Sequence, residues 1–236
     1  MVFSSHIFIF YFLPLALLGY YALAWAPQRW RNLWLILTGY IFYGWAEPRF
    51  ILLMFATTSI DWVMSLVIAH NSWRVWRAWR RPVHALEKKM PRSRTQRIAI
   101  TTSIVSNLLV LGFFKYFNFG IDSYNALVDS LGVSHAEWHT LLRVVLPLGI
   151  SFYTFQALSY TIDVYRGEAE AMSNFIDFSC FVSMFPHLVA GPILKFSFLA
   201  EQLKHRSLTS EKFARGVAFF MLGLAKKILL ANPCGK

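Results

Sequence analysis

The chain has 236 residues, of which 56% are hydrophobic, 17% aromatic and only 15% charged. Soluble domains carry about 25% charged residues, so this composition disfavours a soluble globular protein and favours a membrane protein. The net charge of +11 is interpreted first as a sign of membrane topology rather than of nucleic-acid binding, and the two cysteines give no disulfide framework.

Apolar stretches recur along the whole chain, and a spanning helix needs about 20 such residues. Their approximate bounds are 6–25, 32–46, 50–69, 98–117, 143–164, 175–193 and 213–231. The first is expected to be an uncleaved helix, because no Lys or Arg precedes Arg29, although Ala22-Leu23-Ala24 resembles a cleavage site. There is no internal repeat, so residues 1–236 are predicted to form one all-α membrane domain, a polytopic helical bundle of about six or seven transmembrane or re-entrant helices.

The basic residues predict the orientation of these segments. Nine of the 23 Lys and Arg residues fall between His70 and Arg97, which places that loop in the cytoplasm and the N-terminus outside. The loop 118–142 is then outside, and it contains three acidic residues but no Lys or Arg. We expect a multi-pass membrane protein.

Residues 72–97 are predicted to be a basic cytoplasmic loop that includes an interfacial helix. Tryptophan and arginine each recur every three residues, at Trp73, Trp76 and Trp79 and at Arg74, Arg77 and Arg80. On a helix the two sets occupy neighbouring arcs, Trp at the membrane interface and Arg toward anionic headgroups. Nucleic-acid binding is the rival interpretation, which the flanking membrane segments disfavour, so the expected partner is the lipid bilayer and not nucleic acid.

The segment 175–193 is predicted to enter the membrane and return on the same side. The following loop carries Lys195, Lys204 and Arg206, which a full crossing would place outside, against the positive-inside rule. Pro186, Pro192 and Gly191 would break a helix here. The alternative is an ordinary kinked helix that spans fully.

Residues 151–167, SFYTFQALSYTIDVYRG, are apolar enough for a bilayer but carry many polar groups. Such groups persist in lipid only where they face protein or a water-filled path. This segment is therefore predicted to line the protein interior or such a path, and not to be a plain membrane anchor. The candidate lining residues are Tyr153, Gln156, Tyr160, Asp163 and His187.

Of three ionisable residues that lie in apolar segments, two have more than one interpretation. Asp163 either pairs with Arg166 or caps a helix, or it contacts substrate directly. His187 is a weak candidate for proton transfer, or a histidine hydrogen-bonded inside the bundle. Asp61 is expected to face the bundle with a hydrogen-bond partner. No Cys/His cluster has metal-ligand spacing, so no metal site is predicted.

Five motifs resemble those of the membrane-bound O-acyltransferase family, in the branch that contains the integral-membrane subunit of alginate O-acetylation. They are IFYGWAEPRFILLM (41–54), FFKYFNF (113–119), LPLGISFYTFQALSYTIDVYRG (146–167), FPHLVAGPILKF (185–196) and GLAKKILLA (223–231). Together they cover the whole chain in the family's order.

The resemblance implies acyl transfer to a hydroxyl of an extracytoplasmic polysaccharide, alginate-like or cellulose-like. It also implies acetyl-CoA or another activated acyl thioester as donor, no tightly bound cofactor, and partner proteins for acetyl transfer or polymer synthesis. Family members are about twice this length, and their catalytic histidine lies beyond Lys236, so no residue of this chain is a certain catalytic residue. The alternatives are a membrane transporter or channel, since broken helices also occur at transport sites, and an inactive fragment of the acyltransferase.

Overall fold

The computed structural model describes residues 3–75, 83–88, 90–131, 143–189, 191–192 and 194–235, and these residues form helices and no strand. A π-helical turn, Phe8–Phe12, leads into α1 (Leu13–Ala22), and a 3₁₀ turn, Pro48–Phe50, leads into α3. The other helices are α2 (Gln28–Ala46), α3 (Ile51–His70), α4 (Arg94–Ser130), α5 (Ile150–Arg166), α6 (Phe175–Ser183), α7 (Phe185–Leu188), α8 (Phe196–Lys204) and α9 (Ser210–Lys226). After α9 the chain continues through a π-helix, Lys227–Ala231, into a final turn, Asn232–Cys234.

The all-α prediction is confirmed for the described residues, and several predicted bounds need correction. Residues 118–130 continue α4 instead of forming a loop, whereas 143–149 precede α5 and are not helical. Within the described residues, two helices are long and apolar enough to cross a membrane, Pro48–His70 and Arg94–Ser130. The larger number of membrane segments stays a prediction.

Local signals explain where the helices begin and end. Ser93 and Gln96 form a capping box at the start of α4, and Gln96 Nε2 also donates to the carbonyl of Ile68, 2.8 Å away, at the end of α3. Gly149 and Gly167 flank α5 with φ of 72° and 77°, conformations that favour glycine. A Cβ at Gly167 would lie 2.0 Å from the Leu86 carbonyl oxygen, so only glycine fits this close approach.

The core lies where α3 packs against α4 and α5, and where α2 packs against α6. Fully buried aromatic rings such as Tyr43, Phe178 and Phe181 fill it. A Cβ on Gly39 of α2 would lie 1.9 Å from the carbonyl oxygen of Ser183. The absence of a side chain at Gly39 is therefore what allows α2 and α6 to approach so closely.

The segment predicted to re-enter is broken at Met184. Helix α6 has nine residues, a rise of about 13 Å, which is less than half of a hydrocarbon core about 30 Å thick. Met184 is extended, with φ −62° and ψ 116°, and Pro186 follows in the short helix α7. Gly191, with φ 123°, lies between α7 and α8. We refer to α6, α7 and α8 together as the hairpin segment.

Both ends of the hairpin segment meet at the start of α2. Asn32 Nδ2 donates to Asp177 Oδ1 of α6 at 2.6 Å and to the Leu203 carbonyl of α8 at 2.9 Å. Lys204 also pairs with Glu170, just after α5, at 2.8 Å. The chain therefore turns back and returns to the end of the protein from which α6 starts.

Candidate functional site

The four predicted lining residues of α5 form one polar stripe. Tyr153, Gln156, Tyr160 and Asp163 are spaced three, four and three residues apart, which puts them on one face of a helix. Each is at most 1% exposed, whereas Phe155 on another face is 42% exposed. The polar groups thus face protein, as predicted, and each one meets a different element of the fold.

Gln156 connects α5 to the hairpin segment. Its Nε2 donates to the carbonyl oxygen of His187 at 3.2 Å, and the structure thus brings together two residues that are 31 positions apart. The other amide atom, Oε1, is buried and has no hydrogen-bond partner among the described residues. An unpaired buried acceptor is costly and marks this position as a place where a hydroxyl could donate.

His187 is buried, and its protonation pattern follows from its contact. Nε2 lies 2.7 Å from the carbonyl oxygen of Phe181. Because a carbonyl only accepts hydrogen bonds, Nε2 must carry the proton. Nδ1 is then the nitrogen with the lone pair, and it is the atom that would accept a proton in acid–base chemistry.

The Tyr160 hydroxyl belongs to a closed ring of hydrogen bonds. The Met172 N–H donates to it at 2.9 Å, and Tyr160 lies 2.7 Å from Ser65 Oγ. Ser65 in turn donates to the Trp62 carbonyl at 2.7 Å, so Tyr160 must donate to Ser65. Trp62 Nε1 closes the ring by donating to the Met172 carbonyl at 2.8 Å. Tyr160 therefore links α5 to α3, and its hydroxyl both donates and accepts a hydrogen bond within the protein.

Asp163 caps a helix. Its Oδ2 accepts the backbone N–H of Ser197 at 3.3 Å, in the first turn of α8, where carboxylates are favourable. Of the alternatives considered for Asp163, the ion pair with Arg166 is wrong: the ion pairs found among the described residues do not include it, and Arg166 is exposed while Asp163 is buried. The capping alternative is the one that the structure bears out.

Tyr153 faces Tyr43 of α2. The two rings pack edge to face, with centroids 6.3 Å apart and an interplanar angle of 85°. Their hydroxyls are close enough to interact, but neither makes a hydrogen bond of standard geometry within the described residues. Together with Gln156 Oε1, the two tyrosine hydroxyls make three buried oxygens without a hydrogen-bond partner among the described residues, and all three lie beside the N-terminal half of α5.

A second polar cluster joins α3 and α4. Asp61 is fully buried and accepts hydrogen bonds from Ser103 Oγ at 2.5 Å and from Asn107 Nδ2 at 2.8 and 2.9 Å. The expectation of a bundle-facing Asp61 with a partner is confirmed. Sequence reasoning missed Ser103 and Asn107, although their i, i+4 spacing in an apolar helix is a signal that could have identified them.

The predicted interfacial helix is described only at its start. Trp73 is 53% exposed, and the backbone N–H of Arg74 donates to Ser72 Oγ at 3.2 Å. The remaining residues of that prediction, Trp76, Trp79, Arg77 and Arg80, lie outside the described residues. No group of three or more His, Cys, Asp or Glu residues suitable for a metal ion occurs in the part of the chain that the structure describes.

Two cavities open beside the start of α2, at the end where the hairpin segment returns. The first, of about 490 Å³, lies among Arg29, the residues just after α5 and the end of α8. The second, of about 570 Å³, is lined by Gln28, Arg31, Lys204, His205, Arg206 and Ser207. The second lining is rich in cationic side chains.

Comparison with known proteins identifies relatives along nearly the whole chain. It is 43% identical over 232 residues to the "Probable alginate O-acetylase AlgI" of Azotobacter vinelandii and 41% identical over 232 residues to that of Pseudomonas aeruginosa. A "Peptidoglycan O-acetyltransferase" of Helicobacter pylori is 28% identical over 261 aligned residues. Each alignment includes 98% of this chain but only 42%, 40% and 45% of the respective relative.

The chain thus spans about two fifths of the length of the alginate O-acetylases that it matches. No family model matches it, and no solved structure does. The alignments nevertheless extend over 98% of the chain. Over nearly its whole length the chain is thus similar to these O-acetylases, in agreement with its resemblance to the membrane-bound O-acyltransferases.

Proposed function

We propose that this chain forms part of a membrane O-acyltransferase that acetylates an extracytoplasmic polysaccharide. The observation that carries the proposal is the identity of 39–43% to five alginate O-acetylases over 98% of the chain. The acceptor is an alginate-like or cellulose-like polymer, and the donor is acetyl-CoA or another activated acyl thioester. Partner proteins complete the transfer or synthesise the polymer.

The exposed apolar surface supports a multi-pass membrane protein. Only 22% of the apolar stretch of α4 is buried inside the protein, and side chains such as Leu109 and Phe119 are about 70% exposed (67% and 70%). The core helix of a soluble protein would be mostly covered, and large exposed apolar surfaces indicate contact with lipid or partners. We place the protein in the inner membrane, with the N-terminus in the periplasm and the 72–97 loop in the cytoplasm.

The polar stripe supports a path for the acyl group or for its proton. Acyl transfer to a hydroxyl needs a base near the attacking oxygen and donors toward the carbonyl oxygen. Gln156, His187 and the two facing tyrosines offer polar atoms in the interior, next to the backbone broken at Met184. Irregular backbone at membrane depth is tolerated where it lines a cavity or is buried in protein.

Restoration of alginate acetylation tests this proposal. Residues 1–236 would be expressed in an alginate-producing bacterium that lacks its own O-acetylase, either alone or joined to the remaining three fifths of the Azotobacter relative. We expect acetylated alginate only from the joined form, because the family resemblance places the catalytic histidine beyond Lys236 and loss of general acid–base help costs about 10²–10⁴-fold. Acetylation by neither form, with both present in the membrane, would contradict the proposal.

A variant pair tests the role of His187 in the proposed path, in the joined form. His187→Ala should reduce the acetyl content of the polymer, because it removes a proton acceptor and the contact to Phe181. Phe155→Ala, on the exposed face of α5, is the control and should leave the acetyl content unchanged. Full acetylation by His187→Ala would remove His187 from the proposed path.

A further inference from the structure

A strongly cationic cleft lies between the start of α2 and the segment that follows α8. Its volume is about 570 Å³, within the range of ligand sites. Among the described residues that line it, three are Lys or Arg and none is acidic. Lys204 is neutralised by Glu170, which leaves Arg31 and Arg206 as the uncompensated charges.

Arg31 is available to a ligand. Its Nε is buried and has no hydrogen-bond partner in the part of the chain that the structure describes. Arg206 is held in place, since its Nε donates to the Gln202 carbonyl at 2.7 Å, and the remainder of its guanidinium lies near Tyr20 and Cys180. Two arginines that line the same cleft suit a phosphate group, because the planar guanidinium matches phosphate geometry.

A second, mostly apolar cleft lies beside the residues that follow the first one in the chain. It has a volume of about 430 Å³ and lies between α1 and α9, among Tyr21, Leu208 and Phe213. The two linings are adjacent in the chain, because Ser207 lines the first cleft and the next residue, Leu208, lines the second. A phosphate site with an apolar slot next to it fits an amphiphilic ligand better than a soluble phosphate compound.

We propose that these two adjacent clefts bind an anionic phospholipid, with its phosphate between Arg31 and Arg206 and an acyl chain along Tyr21 and Phe213. This rests on the membrane placement in the proposed function, but on neither the acyl donor nor the acceptor. The clefts lie at the end of the protein assigned to the cytoplasm, where anionic lipids attract basic groups. A phosphate on a soluble donor is the competing source of the same chemistry.

Binding to the purified chain in a neutral detergent separates these sources. The probes are dioctanoyl phosphatidylglycerol, dioctanoyl phosphatidylcholine and coenzyme A, with affinity measured by thermophoresis. We expect phosphatidylglycerol to bind more tightly than both others. Arg31→Gln should weaken it about tenfold, since it removes charge-assisted hydrogen bonds. Arg215→Gln, which removes an exposed arginine outside the cleft, should leave the affinity unchanged.

Two further variants keep the test decisive if Arg31→Gln does not fold. Ser207→Glu places a negative charge at the mouth of the cleft and should also weaken phosphatidylglycerol, whereas Phe213→Ala should weaken the lipid by removing contact with its chain. Tighter binding of coenzyme A than of phosphatidylglycerol would overturn the lipid assignment. Equal affinity of Arg31→Gln, Ser207→Glu and the unmodified chain would overturn the site itself. Acetylation is not measured here, so these outcomes are independent of the test of function.

Discussion

At the scale of single residues, buried polar groups are satisfied by partners that are distant in sequence. Asp61 is 42 and 46 residues from the groups that bind it, Asp163 is 34 residues from Ser197, and Gln156 is 31 residues from His187. Composition and spacing were enough to predict that these groups face protein. They did not identify the partners, because each pairing depends on how helices pack, and the local Arg166 that follows Asp163 was a misleading candidate.

Asp61→Ala should destabilise the protein by about 1–3 kcal/mol, because the donors on Ser103 and Asn107 would remain buried without an acceptor. Asp61→Asn should cost less, since its amide oxygen still accepts one of them. Thermal unfolding in detergent measures both. Thr102→Ala, on the exposed side of α4, is the matched control, and an effect there as large as that of Asp61→Ala would argue against this account.

At the scale of helices, the close approach of α2 to α6 depends on one missing side chain. Gly39→Ala should destabilise the protein by about 1–3 kcal/mol, because its new Cβ would overlap the Ser183 carbonyl and overpack the interface. Gly112→Ala in α4 meets nothing within 4 Å and should be neutral or stabilise by up to about 1 kcal/mol, as alanine favours helices. Equal unfolding temperatures for the two variants would contradict the predicted contact.

The hairpin segment makes a prediction about accessibility. In a background with Cys180 and Cys234 replaced by serine, single cysteines at Ser173 and Gln202, both exposed, should react with an impermeant maleimide from the cytoplasmic side. The reason is that the two ends of the segment meet at Asn32. A cysteine at Asp129 is the control for the opposite side. Labelling of Ser173 and Gln202 from opposite sides would show that the segment spans fully.

The helices themselves could be predicted from the sequence more reliably than their ends. The span expected over 50–69 corresponds closely to α3 (Ile51–His70), because an apolar run bounded by polar residues is a strong signal. The extension of α4 to Ser130 was missed, since its last turns contain Asp122, Asn125 and Asp129 and resemble a loop in composition. A break near Pro186 and a return to the same side were both predicted, but the contacts of Asn32 with Asp177 and Leu203 were not, because they depend on how the segment packs against α2.

At the scale of the whole molecule, the charge distribution and the fold agree on which loops lie at the same end of the protein. The start of α2, the segment after α5 and the end of α8 converge around one pair of cavities, and Val83 from the basic 72–97 loop lines one of them. The loops that the positive-inside rule assigns to the cytoplasm are thus neighbours in space, although they are far apart in sequence.

Reporter fusions test the orientation of the chain in the membrane. A fusion at Pro91 should report a cytoplasmic position, and a fusion at Asp129 should report a periplasmic position. The reason is that the intervening α4 is apolar and long enough to cross the bilayer. Alkaline phosphatase and green fluorescent protein, each fused at both sites, give opposite readouts. The reversed pattern at both positions would invert the orientation.

The bonds from Asn32 to Asp177 and Leu203 also have a consequence for how the protein is made. The partners of Asn32 are 145 and 171 residues further along the chain. At about 5–20 residues per second, the ribosome needs on the order of ten seconds after α2 emerges to synthesise them. During that interval the Asn32 amide group and the groove at Gly39 lack their native partners, so α2 can reach its final packing only after the hairpin segment has been synthesised.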